Sequence, residues 1–455
     1  MEIASLLYML SGTLLGFVAG WLPGVGSVVI MLMSFPFLEG ASLFHLLLFY
    51  VAMASASQFS GSVVATVLGI PGEASSLPAV KEGHKLFING KGNFAISGAA
   101  IGSVLGSIVS VLVVYSIMPM ALYMVKNFYN NMIQTVMLSV CVLLIIFLIN
   151  RHWIVNAMLF GFGFLLSIIG FNENPRFIFG QNVLPYEKFP DLYEGLPFYP
   201  VLLALFVIPT ILKSMQKYSS VDNNNEYRDN DSLTTHLKVF WQNKYSALRG
   251  SLFGGIVSLV PHIHNVLSSN LSYAIEKFRK TKKKTYNEKE GDVGCLIAAE
   301  TANNATSIIS MLPLLLIGIP ITTSEAILLV IIDFSFYRVD YTTIVETGLF
   351  NKLVLWFLFS TVLCFIFSWP IISYVNVFRK ISLKKVLTIT ITFAILLMLY
   401  LGYSNMQMWY CISVFLALLP IGILLKKHDT IPLVIGFILQ DKLFEAYYTF
   451  ISLNL

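Results

Sequence analysis

Two stretches of the sequence decide the fold: Gly69-Ile70-Pro71-Gly72-Glu73-Ala74-Ser75-Ser76 and Gly318-Ile319-Pro320-Ile321-Thr322-Thr323-Ser324. Each follows an apolar run, and small hydroxyl residues come directly after each Gly-Ile-Pro step. Such a step ends a helix, because proline lacks a backbone N–H and clashes with the preceding turn. In lipid, backbone freed in this way is tolerated only where it is buried in protein or lines a cavity. Two breaks in matching places of two halves therefore predict a transporter binding site.

The composition indicates a membrane protein. The chain has 455 residues, of which 56% are hydrophobic and 12% charged, with a mean hydropathy of +0.77. A soluble protein carries roughly twice that charged fraction. We predict an all-α polytopic protein of the plasma membrane with about 10–12 transmembrane helices, some of them broken helices or re-entrant hairpins. The net charge of +5 fits basic cytoplasmic loops and does not indicate nucleic-acid binding.

Glycine and proline positions recur along the chain. At an offset of 238, Gly12, Gly16 and Pro23 correspond to Gly250, Gly254 and Pro261. The Gly-Ile-Pro steps are related by an offset of 249. Basic loops at 81–91 and 277–289 both favour the cytoplasmic side, which gives the two halves opposite orientations. We therefore predict two inverted structural repeats.

The repeat sets the predicted domain boundaries. Residues 1–212 form the first half, 247–376 the core of the second repeat, and 377–455 further C-terminal transmembrane helices. Residues 213–246 are a polar linker, which we expect to be exposed and mobile because its Asn and Asp run cannot bury enough apolar area. The first apolar run carries the repeat, so we expect a retained helix and not a cleaved signal peptide.

The densest polar cluster within an apolar run is Glu300 to Thr306. Carboxylate and amide groups are costly in a membrane unless they face a cavity, a partner or an ion. Asn303 and Asn304 could be packing contacts between helices, or they could contact substrate and a coupling cation. At an offset of 249 they align with Ala54 and Ser55, which are small or polar. We predict a cation site, for Na⁺ or H⁺, at Ser55, Asn303 and Asn304.

The residues at the breaks could bind an anion. Helix N-termini present backbone N–H groups, and the hydroxyl residues could add donors. The alternative is that these hydroxyls only cap the following helices, and the two roles are compatible. The predicted substrate-binding residues are Gly24, Gly26, Pro71, Gly72, Ser75, Ser76, Asn303, Asn304, Thr322, Thr323 and Ser324.

An enzymatic function is the alternative from another class. It would use His262, His264 and Glu300 inside the membrane. Two histidines without a nearby third ligand do not favour a metal, and proton handling or substrate contact suits them better. The sequence has no Walker loop, nucleophile elbow or zincin motif. We therefore predict no catalytic residue, no metal and no cofactor beyond the coupling cation.

The motifs resemble those of a known family. A glycine-spaced helix runs into Pro23-Gly24-Val25-Gly26, and a Gly-Ser segment at 61–62 leads to Pro71-Gly72. Downstream, 298–305 read Ala-x-Glu-x-Ala-Asn-Asn-Ala and precede a Gly-Ile-Pro step. Over about residues 5–335 this order is similar to the large membrane subunit of the tripartite tricarboxylate transporters.

The resemblance implies a secondary active transporter for small carboxylates. It also implies a small membrane subunit and a periplasmic or extracellular binding protein as partners. We expect alternating access, with the substrate held at the breaks near the midplane, and we leave a homodimer open. The sequence departs from the family pattern at His262 and His264, which replace the two glycines of the second Pro-Gly-x-Gly, and at Ile321, which replaces a glycine.

Overall fold

The computed structural model describes residues 2–22, 26–38, 40–128, 131–148, 152–169, 195–217, 233–258, 264–334, 348–373, 383–404 and 407–453. Every regular element in these ranges is helical, which confirms the predicted all-α class. In chain order the helices are α1 (Glu2–Trp21), α2 (Gly26–Leu38), α3 (Leu43–Leu68), α4 (His84–Ile88), α5 (Gly92–Phe128), α6 (Asn131–Leu148), α7 (Trp153–Ser167), α8 (Phe198–Leu202), α9 (Ile208–Lys217), α10 (Leu233–Val257), α11 (His264–Lys282), α12 (Val293–Ala305), α13 (Leu312–Ile317), α14 (Thr323–Phe334), α15 (Leu349–Ser373), α16 (Leu383–Ser404), α17 (Met408–Leu425), α18 (Ile431–Ile438) and α19 (Gln440–Leu453).

The helices form two compact units that alternate along the chain. One unit comprises Met1–Phe128 and Ser214–Val386, and the other comprises Tyr129–Lys213 and Leu387–Leu455. Each unit therefore combines residues from before and after the centre of the sequence. This spatial division differs from the consecutive domains predicted from the repeat, whose boundaries stay a prediction.

Long apolar helices make the protein a multi-pass membrane protein. Within the described ranges, six helices are long and apolar enough to cross a bilayer: Ile3–Trp21, Leu43–Leu68, Gly92–Asn127, Leu349–Ser368, Lys384–Tyr403 and Met408–Leu425. Large apolar side chains such as Ile256 and Leu355 are exposed, while many serines, threonines and asparagines are buried. This distribution suits a protein whose outer surface faces lipid. The predicted total of about 10–12 transmembrane helices stays a prediction.

Both Gly-Ile-Pro steps end a helix, as predicted. Helix α3 ends at Gly69 and α13 ends at Gly318, each glycine with φ of 67°. The Gly69 N–H donates to the carbonyl of Ala65, and the Gly318 N–H donates to that of Leu314. Only glycine adopts this left-handed conformation without steric cost, so the two glycines are required where they stand.

The second break differs from the first in one respect. Helix α3 is continuous up to its break, whereas residues 306–311 form turns between α12 and α13. Pro313, at the start of α13, explains the interruption, because proline disrupts the helix in the turn before it. The corresponding position in α3, at an offset of 249, is Val64. In the interrupted segment the Ile308 N–H donates to Ser110 Oγ on α5 at 3.2 Å.

Two helix pairs are packed in the same manner. In α1, Gly12 lies against the carbonyl of Phe49 on α3, and Gly16 lies against Met53 and Ala56. The α10–α12 contacts repeat this pattern at an offset of 238 for the glycines and 249 for their partners: Gly250 against Ala298, and Gly254 against Ala302 and Ala305. These contacts need glycine, because a Cβ would collide with the neighbouring backbone.

Part of the predicted polar linker is helical. Helix α9 ends at Lys217 and α10 begins at Leu233, so residues 233–246 belong to α10. Residues 218–232 lie outside the described residues. The apolar part of α10 packs on α5, α11 and α12, which explains why the helix extends into a segment that reads as polar.

Candidate functional site

The first unit has a polar interior at the level of the two breaks. Helix α3 contributes a run of buried polar side chains: Ser55, Ser57, Gln58, Ser60 and Ser62. Both breaks, α5, α12 and α15 belong to the same unit. Buried polar groups in a membrane protein must find partners, so their contacts indicate what the interior can bind.

The first break is fixed by close packing and by capping. Gly72 lies against Gly20 and Gly61, where a Cβ would collide with backbone atoms. Ser76 Oγ donates to the Glu73 carbonyl at 2.7 Å and accepts from the Glu73 N–H at 3.3 Å. The Ser76 hydroxyl is therefore engaged in capping. Ser75 differs, since its buried Oγ has no hydrogen-bond partner among the described residues.

The second break is also capped by a carboxylate residue and a hydroxyl residue, but the two exchange their positions in the sequence. At an offset of 249, Glu73 and Ser76 correspond to Thr322 and Glu325. Glu325 Oε2 accepts from the N–H groups of Ile321 at 2.9 Å and Thr322 at 3.1 Å. Thr322 Oγ1 accepts from the Glu325 N–H at 3.1 Å. The protein's own carboxylate thus occupies the amides that we expected to face an anion.

The remaining hydroxyls of the second break have different surroundings. Thr323 Oγ1 is buried without a hydrogen-bond partner within the described part of the chain. The hydroxyl oxygens of Ser324 and Ser27 lie 3.2 Å apart, which joins the start of α14 to the start of α2. Capping therefore accounts for Thr322, while Thr323 is left available for a ligand.

Asn303 and Asn304 are both fully buried, yet they differ in their contacts. Asn304 Nδ2 donates to Ser103 Oγ on α5 at 3.2 Å and to the Glu300 carbonyl at 3.0 Å. Asn304 Oδ1 and both polar atoms of the Asn303 side chain have no partner among the described residues. The packing explanation therefore accounts for one end of Asn304 and for neither end of Asn303.

Glu300 connects α12 to α3. Ser62 Oγ donates to Glu300 Oε1 at 2.7 Å, and both side chains are fully buried. Glu300 Oε2 has no partner in the described ranges. Helix α5 packs directly on this residue, because a Cβ at Gly102 would come within 2.7 Å of Glu300 Cβ.

Further hydroxyl and amide contacts cross the unit. Ser55 Oγ lies 3.3 Å from Thr361 Oγ1 on α15, so the predicted cation residue Ser55 has a protein partner. Ser307 Oγ donates to Gln58 Oε1 at 2.9 Å. These last two residues are themselves separated by 249 positions, the offset that relates the two breaks.

The other predicted residues are placed as follows. Pro71 is partly buried two residues after Gly69, and Gly26 begins α2 with φ of 61° and open space beside it. Gly24 and His262 lie outside the described residues, and His264 is the first residue of α11. The structure thus does not test the set His262, His264 and Glu300 on which the enzyme alternative depends.

Sequence reasoning missed the contribution of α5. Ser103, Ser107 and Ser110 contact Asn304, Thr361 and Ile308 respectively. Their spacing of four and three residues places them on one helical face. A second signal was the series Gly98, Gly102 and Gly106, all three of which approach α12. Small residues at intervals of four predict close helix packing in membranes, so the sequence could have predicted the contact between α5 and α12.

A separate polar network lies in and beside the two basic loops, residues 81–91 and 277–289. Glu82 is fully buried and accepts from Tyr273 Oη at 2.9 Å, Tyr286 Oη at 2.8 Å and the Asp292 N–H at 2.9 Å. Lys91 Nζ pairs with Glu290 Oε2 at 2.7 Å. These contacts tie the segment after the first break to the loop between α11 and α12.

Close to this network, Glu276 is held by two arginines. Arg249 donates to both carboxylate oxygens at 2.7 and 2.9 Å, and Arg279 Nη2 donates to Oε1 at 2.7 Å. Burial alone would raise the pKa of Glu276, but the hydrogen bonds from Arg249 and Arg279 lower it to about 2. Glu276 lies in the polar part of α11, outside the six candidate membrane spans.

Comparisons with known proteins point in one direction. The family model described as "Tripartite tricarboxylate transporter TctA family" matches residues 6–435. An uncharacterized protein from the TAR-I ttuC' 3' region of Agrobacterium vitis is 26% identical over 321 residues, covering 68% of this chain and 60% of the relative. An uncharacterized protein of Methanocaldococcus jannaschii is 22% identical over 436 residues, covering 94% of each chain. No solved structure matches.

Proposed function

The chain belongs to the tripartite tricarboxylate transporter TctA family, and from this premise we propose that it is a secondary active transporter for small carboxylates of the tricarboxylate type. The substrate is held between the two breaks in the first unit, and access alternates between the two sides of the membrane. The proposed location is the plasma membrane. The proposed partners are a small membrane subunit and an extracytoplasmic binding protein, in keeping with the word tripartite in the family name.

One observation carries this proposal: several buried polar atoms at the breaks and on α12 have no hydrogen-bond partner among the described residues. They include Ser75 Oγ, Glu300 Oε2, both side-chain polar atoms of Asn303, Asn304 Oδ1 and Thr323 Oγ1. Leaving a buried donor or acceptor without a partner costs about 1–3 kcal/mol each. A bound polar ligand would satisfy these atoms. Four of the residues named from the sequence as substrate or cation contacts have such an atom, namely Ser75, Asn303, Asn304 and Thr323, which supports binding over a purely structural role.

The charges of the site support a coupling cation. Glu73, Glu300 and Glu325 all lie at the breaks or on α12, and none of them forms a salt bridge among the described residues. An anionic substrate would be repelled by these carboxylates unless a cation neutralises them. Co-transport of Na⁺ or H⁺ with the carboxylate supplies that positive charge. Asn303 Oδ1 and Asn304 Oδ1 are the free oxygen ligands nearest in sequence to Glu300.

The matched packing of α1 on α3 and of α10 on α12 supports two structural repeats. The equal φ of Gly69 and Gly318 supports equivalent breaks. In transporters, inverted repeats provide two similar conformations related by exchange of roles between the halves. Alternating access by movement of one set of helices relative to the other follows from such an arrangement.

Counterflow in proteoliposomes tests the proposal. Purified protein is reconstituted with unlabelled citrate inside, and uptake of labelled citrate is followed with and without sodium. The same assay is repeated with tricarballylate, succinate and, as a non-acidic comparison, glucose. We expect transient accumulation of a carboxylate and none of glucose. Chemical conversion without accumulation would support the enzyme alternative, and inactivity with every carboxylate, in the presence of both partner subunits, would refute the proposal.

A further inference from the structure

Glu300 has an environment that a permanently ionised carboxylate does not tolerate. It is fully buried, its single side-chain partner is the neutral Ser62 hydroxyl, and its Oε2 has no partner among the described residues. An isolated carboxylate is very costly to bury, whereas the neutral acid is far less so. The local structure therefore suits the protonated form.

The charged groups on the surrounding elements do not offset a negative charge at Glu300. Helix α12 packs against α3, α5, α10, α11 and the π-helical turn Ala79–Gly83. Cations on these elements contact other groups: Arg249 and Arg279 pair with Glu276, Lys280 with Asp292 and Lys277 with Tyr273, while Lys81, Lys238 and Lys244 lie over the rings of Tyr273, Phe94 and Trp241. The acidic groups Glu82 and Asp292 lie near the start of α12. Glu73, at the first break, is a further acidic group and supplies no positive charge.

Glu300 alone offers little to a metal ion. Helix α5 packs at Gly102 against Glu300 Cβ. Alkali ions need several oxygen ligands, and Oε2 is the one unpaired oxygen on this side chain among the described contacts, so Asn303 Oδ1 and Asn304 Oδ1 would have to supply the others. A proton needs a single oxygen. In the other half, the position equivalent to Glu300 is Val51, so the acid occurs once per chain.

We propose that Glu300 is the proton-binding site of the transporter. This inference rests on the proposed function. Oε2 takes a proton from the water on one side of the membrane as the carboxylate substrate binds. While the contacts described above are in place, the group is neutral. It gives the proton to water on the other side when the substrate leaves, and the Ser62 hydroxyl orients the carboxyl group throughout.

Infrared spectroscopy tests the protonation without any substrate. The purified protein is titrated from mildly acidic to mildly alkaline pH, and the carbonyl-stretch band of a protonated carboxyl group is recorded. We expect this band at neutral pH in the wild type, a loss of intensity in Glu300→Gln, where Glu325 remains as another fully buried acid, and a shift of the Glu300 component to higher frequency in Ser62→Ala, which removes the hydrogen bond. The exposed Glu290→Gln variant is the control and should keep the band. Absence of a Glu300-dependent band across the titration overturns the proposal.

Transport measurements test the coupling. Citrate uptake into proteoliposomes is measured with an inward proton gradient, with external pH indicator to detect proton movement. Wild type and Glu290→Gln should accelerate as the outside becomes more acidic, by at most about tenfold per pH unit, over the pH range in which Glu300 is still ionised when the site is open to that side, since the protonated fraction then follows proton concentration. Glu300→Gln should show less than a twofold change and no proton movement. Full acceleration in Glu300→Gln would overturn the proposal. Wild type that is inactive in counterflow with every carboxylate, in the presence of both partner subunits, would refute the proposed function instead, and the infrared result would still decide the protonation.

Discussion

At the scale of single residues, Asn303 stands out because its side chain is fully buried and neither of its polar atoms is paired within the described part of the chain. Its neighbour Asn304 donates two hydrogen bonds. A packing role would leave few such atoms unpaired, since buried amides that serve packing are normally hydrogen-bonded. The difference between these adjacent residues allows the binding role to be separated from the structural role.

We expect Asn303→Ala to weaken apparent substrate or cation affinity about ten- to hundredfold, which corresponds to ~1.5–3 kcal/mol for a contact to a charged ligand. The melting temperature of the ligand-free protein should not fall, because no hydrogen bond is lost. Affinity is measured by citrate uptake at varied citrate and sodium concentrations, and stability by thermal unfolding in detergent.

Asn156 on α7 provides the matched control. It is also fully buried, and its Nδ2 donates to the Ile146 carbonyl at 2.8 Å. Asn156→Ala should lower stability by roughly 0.6 kcal/mol, the typical strength of a membrane interhelical hydrogen bond, without changing affinity. If Asn303→Ala instead behaves like Asn156→Ala, Asn303 is a packing residue.

The sequence predicted some residues of the candidate site, but it could not predict all of the contacts between them. Asn303 and Asn304 were named from the cost of polar groups in an apolar run, and Ser75 and Thr323 as hydroxyl donors after the breaks; each has a buried atom without a partner among the described residues. Whether they bind a ligand stays a prediction. The hydrogen bond from Ser62 to Glu300 could not be predicted, because it joins residues 238 positions apart that no local pattern relates.

At the scale of helices, close contact between α10 and α12 depends on Gly254. A Cβ there would meet the Ala302 carbonyl oxygen and come within 2.7 Å of Ala305 Cβ. We expect Gly254→Ala to destabilise the protein by about 1–3 kcal/mol, because the helices cannot separate without loss of packing. The adjacent Gly255→Ala is the control, since its Cβ would meet only Val113 Cγ2 at 3.5 Å.

Gly255→Ala should be neutral or stabilising by up to about 1 kcal/mol, because alanine is the better helix former. Thermal unfolding of both variants in the same detergent decides the matter. Equal melting temperatures for the two variants would show that the α10–α12 approach is less tight than the contacts at Gly254 indicate.

The Glu276 cluster predicts a specific pH dependence. Its folded pKa of about 2 lies below the ordinary value of 4.5, so the stabilisation is present above pH 4.5. It is lost as the pH falls from 4.5 towards 2, because protonation breaks the charge-assisted bonds from Arg249 and Arg279. Glu276→Gln should remove about 1–3 kcal/mol at neutral pH.

The same variant should also show a flatter decline in stability with acid than the wild type does. Glu290→Gln, which alters an exposed pair with Lys91, is the control and should change stability at neutral pH little. A wild-type and a Glu276→Gln curve that run parallel in acid would contradict the assigned role of Glu276. Unfolding is followed by tryptophan fluorescence at fixed temperature.

Helix ends illustrate how far local sequence carries the fold. The ends at Gly69 and Gly318 were predicted because proline and glycine act on the turn beside them. The interruption at 306–311 has an equally local cause in Pro313, yet it was hidden within an apolar run. The start of α10 inside the predicted linker depends on packing by distant helices, and tertiary contacts of this kind override local polarity.

At the scale of the whole molecule, each of the two units is built from residues on both sides of 218–232. The composition alone fixed the membrane class, since its charged fraction is too small for a soluble protein. The alternation of the two units along the chain could not be predicted from the sequence, because it arises from contacts between parts of the chain that are far apart in sequence.

We expect fragments 1–222 and 223–455 to copurify and to regain transport when they are coexpressed, because both units need both fragments. Either fragment expressed alone should fail to give a monodisperse preparation. The control is a division inside α5, between Gly106 and Ser107, which cuts a continuous helix. Recovery of a stable, monodisperse 1–222 fragment on its own would contradict the interdependence of the two parts.

The hydrogen bond between Ser307 and Gln58 has a consequence for the history of the chain. On the two-repeat proposal, these residues occupy the same position in the two halves, so their contact lies on the axis that relates them. Before the halves were joined, when each was a separate subunit of a dimer, that position would have met its own copy. A self-contact restricts both partners to one residue type, and gene fusion removes this restriction. A hydroxyl donor and an amide acceptor could then evolve as a complementary pair.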